Sequence, residues 1–214
     1  MGCPEAAGTR PSNGCGEIIV VRLSNRTLSE VNAAIPAPNY DRSVIQTGIV
    51  HFGVGGFHRA HMAMALDSLM SMGKALDWGI CGVGLMEFDQ RMRDALVPQD
   101  GLYALTLKHP DGRREPRVIG SITEYLYAPD SPFDVLEKMA SSSTRIVSLT
   151  ITEGGYNFDR VTGEFDLNNA LVNADLVPGA APRTAFGFVI EALRLRRERG
   201  IQPFTVLSCD NRSE

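Results

Sequence analysis

A doubly wound α/β domain, mostly parallel and carrying an inserted β-hairpin, is predicted by three observations in the sequence. The apolar run Ile49-Val50-His51-Phe52 breaks into Gly53-Val54-Gly55-Gly56 and then into a helical pattern. A second strand and helix follow between Trp78 and Leu96. Two further apolar strand patterns, Arg145 to Ile151 and Phe204 to Cys209, bracket a helical stretch near the end. Strands alternating with helices must pair in parallel, because each crossover returns the chain to the same end of the sheet.

In chain order, residues 1–16 are rich in Gly, Pro, Ser and Ala, lack periodicity and read as a flexible tail. Residues 17–47 form a lead-in segment. Within it, Leu23 to Asp41 suggests one short helix and an extended connection through Pro36 and Pro38. The domain proper is assigned to 48–214. After the glycine turn, Met62, Leu66, Leu69 and Met70 recur at helical spacing, which gives the first crossover helix one buried face. Trp78 to Leu85 reads as the second strand and Glu87 to Leu96 as the next helix. Leu102 to Leu107 and Arg117 to Tyr127 flank Pro110-Asp111-Gly112, a turn sequence, and are expected to pair as the hairpin. Ser131-Pro132 starts a helix, with proline suited to the first turn. From Arg183 to Arg199, Phe186, Val189, Ile190 and Leu193 mark one helix face, and Gly200 closes it.

The 214 residues are 43% hydrophobic and carry a net charge of −4, enough apolar content for a substantial core. No basic stripe suggests nucleic acid. Arg194, Arg196, Arg197 and Arg199 cluster at a predicted helix end, where a solvated cationic face is expected. Cys3, Cys15, Cys81 and Cys209 form no C-x-x-C pair and no zinc spacing, so no metal is assigned. Cys81 and Cys209 read as small buried hydrophobes. No run is long enough for a membrane helix and no signal core is evident, which points to a cytoplasmic protein.

In a βαβ unit, one glycine permits the tight turn after the strand and a second lets the backbone approach a pyrophosphate. Gly53 and Gly55 fit these roles, although His58 stands where a third glycine is usual and a ligand-free turn would also suit two glycines. In this Rossmann-like arrangement an acid after the second strand holds the adenosine ribose, and Glu87 and Asp89 are the candidates. The carboxyl ends of strands are where ligands bind, which brings Thr152-Glu153-Gly154-Gly155-Tyr156 and Asp210-Asn211 to one edge of the sheet.

Gly53-Val54-Gly55-Gly56-Phe57-His58-Arg59-Ala60-His61 resembles the G-x-G-x-F-x-R-A-H signature of the polyol-specific long-chain dehydrogenases, the family of mannitol 2-dehydrogenase and the hexuronate reductases. Asp77-Trp78-Gly79-Ile80-Cys81-Gly82-Val83-Gly84-Leu85, Ser148 to Tyr156 and Ser208-Cys209-Asp210-Asn211 resemble later family motifs in the same order. The resemblance implies NAD as cofactor, held by Gly53, Val54, Gly55, Gly56, Phe57, Arg59 and Asp89, with NAD preferred over NADP. It implies a polyol or ketose as the small-molecule substrate. Asn211 would stabilise charge at the substrate oxygen and Glu153 would serve a proton path. The family places its catalytic lysine on a second, mainly helical domain; Lys74, Lys108 and Lys138 do not match that motif, so no general base is assigned. The sequence therefore reads as the cofactor half of an oxidoreductase, inactive alone and complemented by a separate catalytic-domain chain, or else as a truncated non-catalytic remnant. A methyltransferase would share only the glycine turn and the acid.

Overall fold

The computed structural model describes residues 22–151, 155–159 and 162–210. A short helix α1 (Leu28–Asn32) and a 3-10 turn (Arg42–Val44) lead into β1 (Thr47–Phe52). Then come α2 (Gly56–Ala60), α3 (Met62–Ser71), β2 (Gly79–Gly84) and α4 (Gln90–Leu96). Strands β3 (Tyr103–Lys108), β4 (Arg114–Ile119) and β5 (Ile122–Tyr127) follow. The rest is α5 (Pro132–Ala140), β6 (Ile146–Leu149), α6 (Ala170–Asp175), α7 (Ala185–Glu198) and β7 (Thr205–Ser208). The tail assigned to residues 1–16, with Cys3 and Cys15, lies outside the described residues.

The main sheet has the order β5-β2-β1-β6-β7, with every neighbouring pair parallel. The chain builds outward from β1 through β2 to β5, then reverses across β1 to β6 and β7, which is the doubly wound arrangement. Val50 lies opposite both Cys81 and Val147, which fixes the register at the centre. Successive side chains alternate faces, so Val50 and Phe52 pack with Val135, Met139 and Phe188 under α5 and α7. Ile49 packs with Ala63, Leu96 and Ile122 under α3 and α4. Phe52 and Phe188 are fully buried, and each such ring contributes about 1.5–3 kcal/mol of burial free energy.

Five expectations need correction. The hairpin is β3 with β4 alone, paired from Tyr103↔Ile119 to Lys108↔Arg114, while Ile122–Tyr127 is a strand of the main sheet. The chain turns between them because the Gly120 amide donates to Asp67, 2.9 Å away, and the Ser121 hydroxyl donates to the Ala63 carbonyl. On α3 the buried face is Ala63, Asp67 and Met70, and Leu69 is exposed. Asp67 is buried because it accepts from Tyr40, Gly120 and Arg117, tying the lead-in segment, α3 and the hairpin together. On α7 the core is Ala185, Phe188, Val189 and Ala192, and Ile190 faces outward at 68% exposure. Arg196 is buried rather than solvated, whereas Arg194 pairs with Glu191 and Glu198 and Arg199 with Glu137 on the surface. Cys81 is buried as expected, but Cys209, just past the outermost strand, is half-buried. Among the described residues no helix is long and apolar enough to cross a membrane.

Candidate functional site

A cleft of about 770 Å³ opens at the carboxyl ends of β1, β2 and β6. It is the crevice that a doubly wound sheet leaves where its strand order reverses. Gly53, Val54 and Gly55 line it with Asp89, Thr150 and Arg183.

Gly53 makes the turn in a conformation with φ +89°, and a Cβ there would lie 2.1 Å from the Thr150 carbonyl. That conformation and that approach exclude every other residue. The Thr150 hydroxyl donates to the Gly53 carbonyl at 2.6 Å, and the Thr150 amide donates to the Phe52 carbonyl at 2.9 Å. The two central strand ends are thus pinned to one another. Gly55 is different: a Cβ there meets nothing nearer than 3.9 Å, and its φ of −82° suits any residue. Among the described residues nothing requires glycine at this position. No side chain caps the first turn of α2.

Asp89 stands over the end of β2, where Gly84 leaves room for it; a Cβ at Gly84 would come within 2.7 Å of the Asp89 Cβ. One carboxylate oxygen of Asp89 accepts the amides of Leu85 and Met86, both at 2.9 Å. Glu87 opens the 3-10 turn Glu87–Asp89 and is not among the residues lining the cleft. Arg91 and Arg183 bring two cations to the lining, with no carboxylate partner for either guanidinium among the described residues. Gly56, Phe57 and Arg59 lie on α2 outside the lining. Phe57 is exposed and stacks on His61 at 4.4 Å, and Arg59 donates to the Gly55 carbonyl at 3.3 Å. Glu153 and Asn211 lie outside the described residues.

Beneath the glycine turn lies a polar cluster that the motifs did not disclose. His51 shares the face of β1 that carries Ile49, and its Nδ1 lies 2.8 Å from the Ser148 hydroxyl. Its Nε2 lies 3.0 Å from the Thr150 hydroxyl and 3.2 Å from the Gly53 carbonyl. A carbonyl only accepts, so this network assigns the proton to Nε2 and leaves Nδ1 to accept from Ser148. His58, in the place of the third glycine, stacks on His51 with ring centroids 3.6 Å apart. Neither of its ring nitrogens has a partner among the described residues. The signal in the sequence was a histidine and a serine inside otherwise apolar strands.

Burial pushes His51 down from 6.5 to about 4, and burial with the neighbouring His51 and Arg59 pushes His58 down to about 2. Both rings fold in neutral. The unfolded chain takes up protons as pH falls below 6.5 and the folded chain does not, so stability is full above that value and is lost on acidification. The expected loss is roughly 2 kcal/mol per histidine between about pH 7 and about pH 5. Urea midpoints across that window check it, and a flat profile contradicts it.

An open parallel sheet, a glycine turn at its switch point and an acid beyond the second strand define a dinucleotide-binding domain of the Rossmann kind. The mannitol dehydrogenase Rossmann domain family model matches residues 47–214, and the chain belongs to that family. It is 47% identical over 191 residues to a mannitol 2-dehydrogenase of Pyrenophora tritici-repentis, a match covering 89% of this chain and 33% of that protein. It is 48% identical to a polyol:NADP oxidoreductase of Gluconobacter oxydans, covering 88% of this chain and 39% of the other. The solved Pseudomonas fluorescens mannitol 2-dehydrogenase, a ternary complex with NAD and D-mannitol, superposes with a TM-score of 0.83 at 46% identity. That match covers 88% of this chain and 38% of the solved one. The chain thus spans little more than a third of the length of these relatives.

Proposed function

We propose that this chain is the NAD-binding half of a polyol dehydrogenase that interconverts a mannitol-like polyol and its ketose. The observation that carries the reading is Gly55, a glycine that the packing of the described residues does not need, in the lining of a cleft large enough for a dinucleotide. Such a glycine has its reason in a ligand that comes close to the backbone. The cofactor, when bound, supplies the hydride acceptor.

The chain's own residues then have separate tasks. Gly53 and Gly55 admit the pyrophosphate to the start of α2. The free oxygen of Asp89 accepts from the adenosine ribose, while its other oxygen, held by Leu85 and Met86, keeps the carboxylate from swinging away. Arg91 and Arg183 offset the negative charge of the phosphates. Glu153 and Asn211, which follow β6 and β7 in the sequence, take the proton-path and oxyanion roles that the family motifs imply. Oxidation of the polyol draws on the part of the family's length that these residues do not span, so the chain by itself binds cofactor without sustained polyol turnover.

Titration of NADH by nicotinamide fluorescence, with NADPH and S-adenosylmethionine as comparison ligands, tests the reading. Saturable NADH binding is expected. Asp89→Asn should weaken it about tenfold, by about 1.4 kcal/mol, and narrow the gap between NADH and NADPH. Failure of a folded sample to bind NADH, or robust mannitol-dependent NADH formation by this chain alone, would refute it.

A further inference from the structure

We propose that Arg91 forms a 2′-phosphate site at the ribose end of the cleft, so that the chain takes NADP as well as NAD. The inference rests on the cofactor reading above and gives that site a second ligand class, a dinucleotide phosphorylated on its adenosine ribose.

In a dinucleotide fold an acid after the second strand suits the ribose 2′-hydroxyl, whereas a nearby arginine suits a 2′-phosphate. Here both stand in one lining, Asp89 at the end of the 3-10 turn after β2 and Arg91 two residues further on, in α4. The two arginines of α4 are placed differently. Arg93 pairs with Asp94 and Asp130, lies 5.0 Å from the centre of the Tyr127 ring and does not line the cleft. Arg91 is exposed, lines the cleft and has no carboxylate partner among the described residues. A guanidinium left unpaired beside the ribose acid is available to an anion carried by the ligand.

The acid, for its part, is a weak barrier to that anion. Asp89 is the only carboxylate among the described lining residues; Glu87 is not in the lining, and Phe88 between them is uncharged. One oxygen of Asp89 accepts the amides of Leu85 and Met86, both at 2.9 Å, so two backbone dipoles offset part of its charge. A phosphate monoester brings roughly −1.5 to −2 charges at pH 7 and three acceptor oxygens. The planar fork of arginine holds two such oxygens at once. With NAD, the 2′-hydroxyl donates to the free Asp89 oxygen and Arg91 has no anion to meet at that carbon. With NADP that donor is lost and Asp89 repels, while Arg91 supplies the attraction that offsets both. NADH therefore stays the tighter ligand, and NADPH follows within about thirtyfold, about 2 kcal/mol.

The test titrates NADH and NADPH on the full 214-residue chain and its variants, with AMP and adenosine 2′,5′-bisphosphate as displacing fragments. Arg91→Gln should weaken NADPH and the bisphosphate about tenfold, by about 1.4 kcal/mol, and leave NADH and AMP within about twofold. Arg91→Lys keeps the charge without the fork and should fall between the two. Arg93→Gln removes a charge two residues away and outside the cleft, and should leave the ratio of NADH to NADPH affinity unchanged. Arg91 holds no ion pair among the described residues, so its variants should melt with the unmodified chain. A ratio that Arg91→Gln leaves unchanged, through equal losses or through none, overturns the proposal. A like change of ratio in Arg93→Gln does the same, since it marks a general field and not a site. Saturable NADH binding without measurable NADPH binding overturns the proposal and leaves the cofactor reading intact. Should the unmodified chain bind none of the four ligands, the cofactor reading fails and the 2′-phosphate site fails with it.

Discussion

Gly55→Ala is expected to melt at the temperature of the unmodified chain and to lose NADH affinity by tenfold to a hundredfold, about 1.4–2.8 kcal/mol. The added methyl meets no protein atom within 3.9 Å and the backbone conformation is an ordinary one, so the fold has no reason to respond. The methyl enters the cleft where the backbone must approach the ligand. Gly53→Ala, two residues earlier, should behave in the opposite way. Its φ of +89° costs a residue with a side chain about 1–2 kcal/mol, and the Thr150 carbonyl 2.1 Å from the new Cβ forces the two central strand ends apart. A loss of about 4 kcal/mol or more, and of about 10 °C in Tm, is expected. The pair is informative because two glycines in one motif separate by measurement into one required by the chain and one required by its ligand. Wild-type NADH affinity in Gly55→Ala would remove the main support for the cofactor reading.

Arg196→Met should be the most damaging change away from the cleft. The guanidinium is 3% exposed and donates to the carbonyls of Met139, Ser141 and Thr144 at 2.8–3.0 Å and to that of Gln202 at 2.6 Å. It also lies 5.3 Å from the centre of the Phe204 ring. These acceptors belong to the end of α5, the link into β6 and the loop into β7, so one side chain fastens three segments together. Burial lowers its pKa from 12.5, yet arginine keeps its proton in proteins, and four carbonyl dipoles here replace a counter-ion. Methionine preserves much of the volume and none of the donors, leaving buried carbonyls unpaired at about 1–3 kcal/mol each before relaxation. A net loss of about 3–5 kcal/mol is expected, measured as a shift in urea midpoint. NADH affinity measured well below the melting range should stay unchanged, since none of these residues lines the cleft.

Much of the architecture was legible because local pattern and tertiary role agreed. The break from β1 into Gly53 and Gly55, the strand from Gly79, Pro132 in the first turn of α5 and Gly200 beyond α7 each carry their physical reason in the residue itself. What stayed hidden depended on partners far along the chain. The separation of β4 from β5 turns on the Gly120 amide reaching Asp67, which no local alternation reveals. The same Asp67 shifted the buried face of α3 away from Leu69 while Met62, Leu66 and Met70 still pack inward, since a carboxylate with three donors belongs inside where an unpaired one would not. Arg196 looked like a member of a solvated cluster because sequence shows its charge and not the carbonyls around it. At the cleft Gly53 and Gly55 were readable from the strand-to-turn pattern and Asp89 was singled out from Glu87 by the family resemblance, whereas His51, Ser148 and Thr150 act together only once β1 and β6 lie side by side.

The strand order also governs how the molecule assembles in time. Within the main sheet no strand pairs with its immediate predecessor through a tight turn; β1 must find β6 across nearly the whole intervening chain, at Ile49↔Ile146. The local hairpin, β3 with β4, stands outside that sheet and cannot template it. Folding should accordingly be slow, limited by loop-closure entropy, with a late barrier crossed when the last long-range strand docks. The glycine turn is pinned by Thr150 just past β6, so it is expected to take its final shape only once β1 and β6 lie side by side.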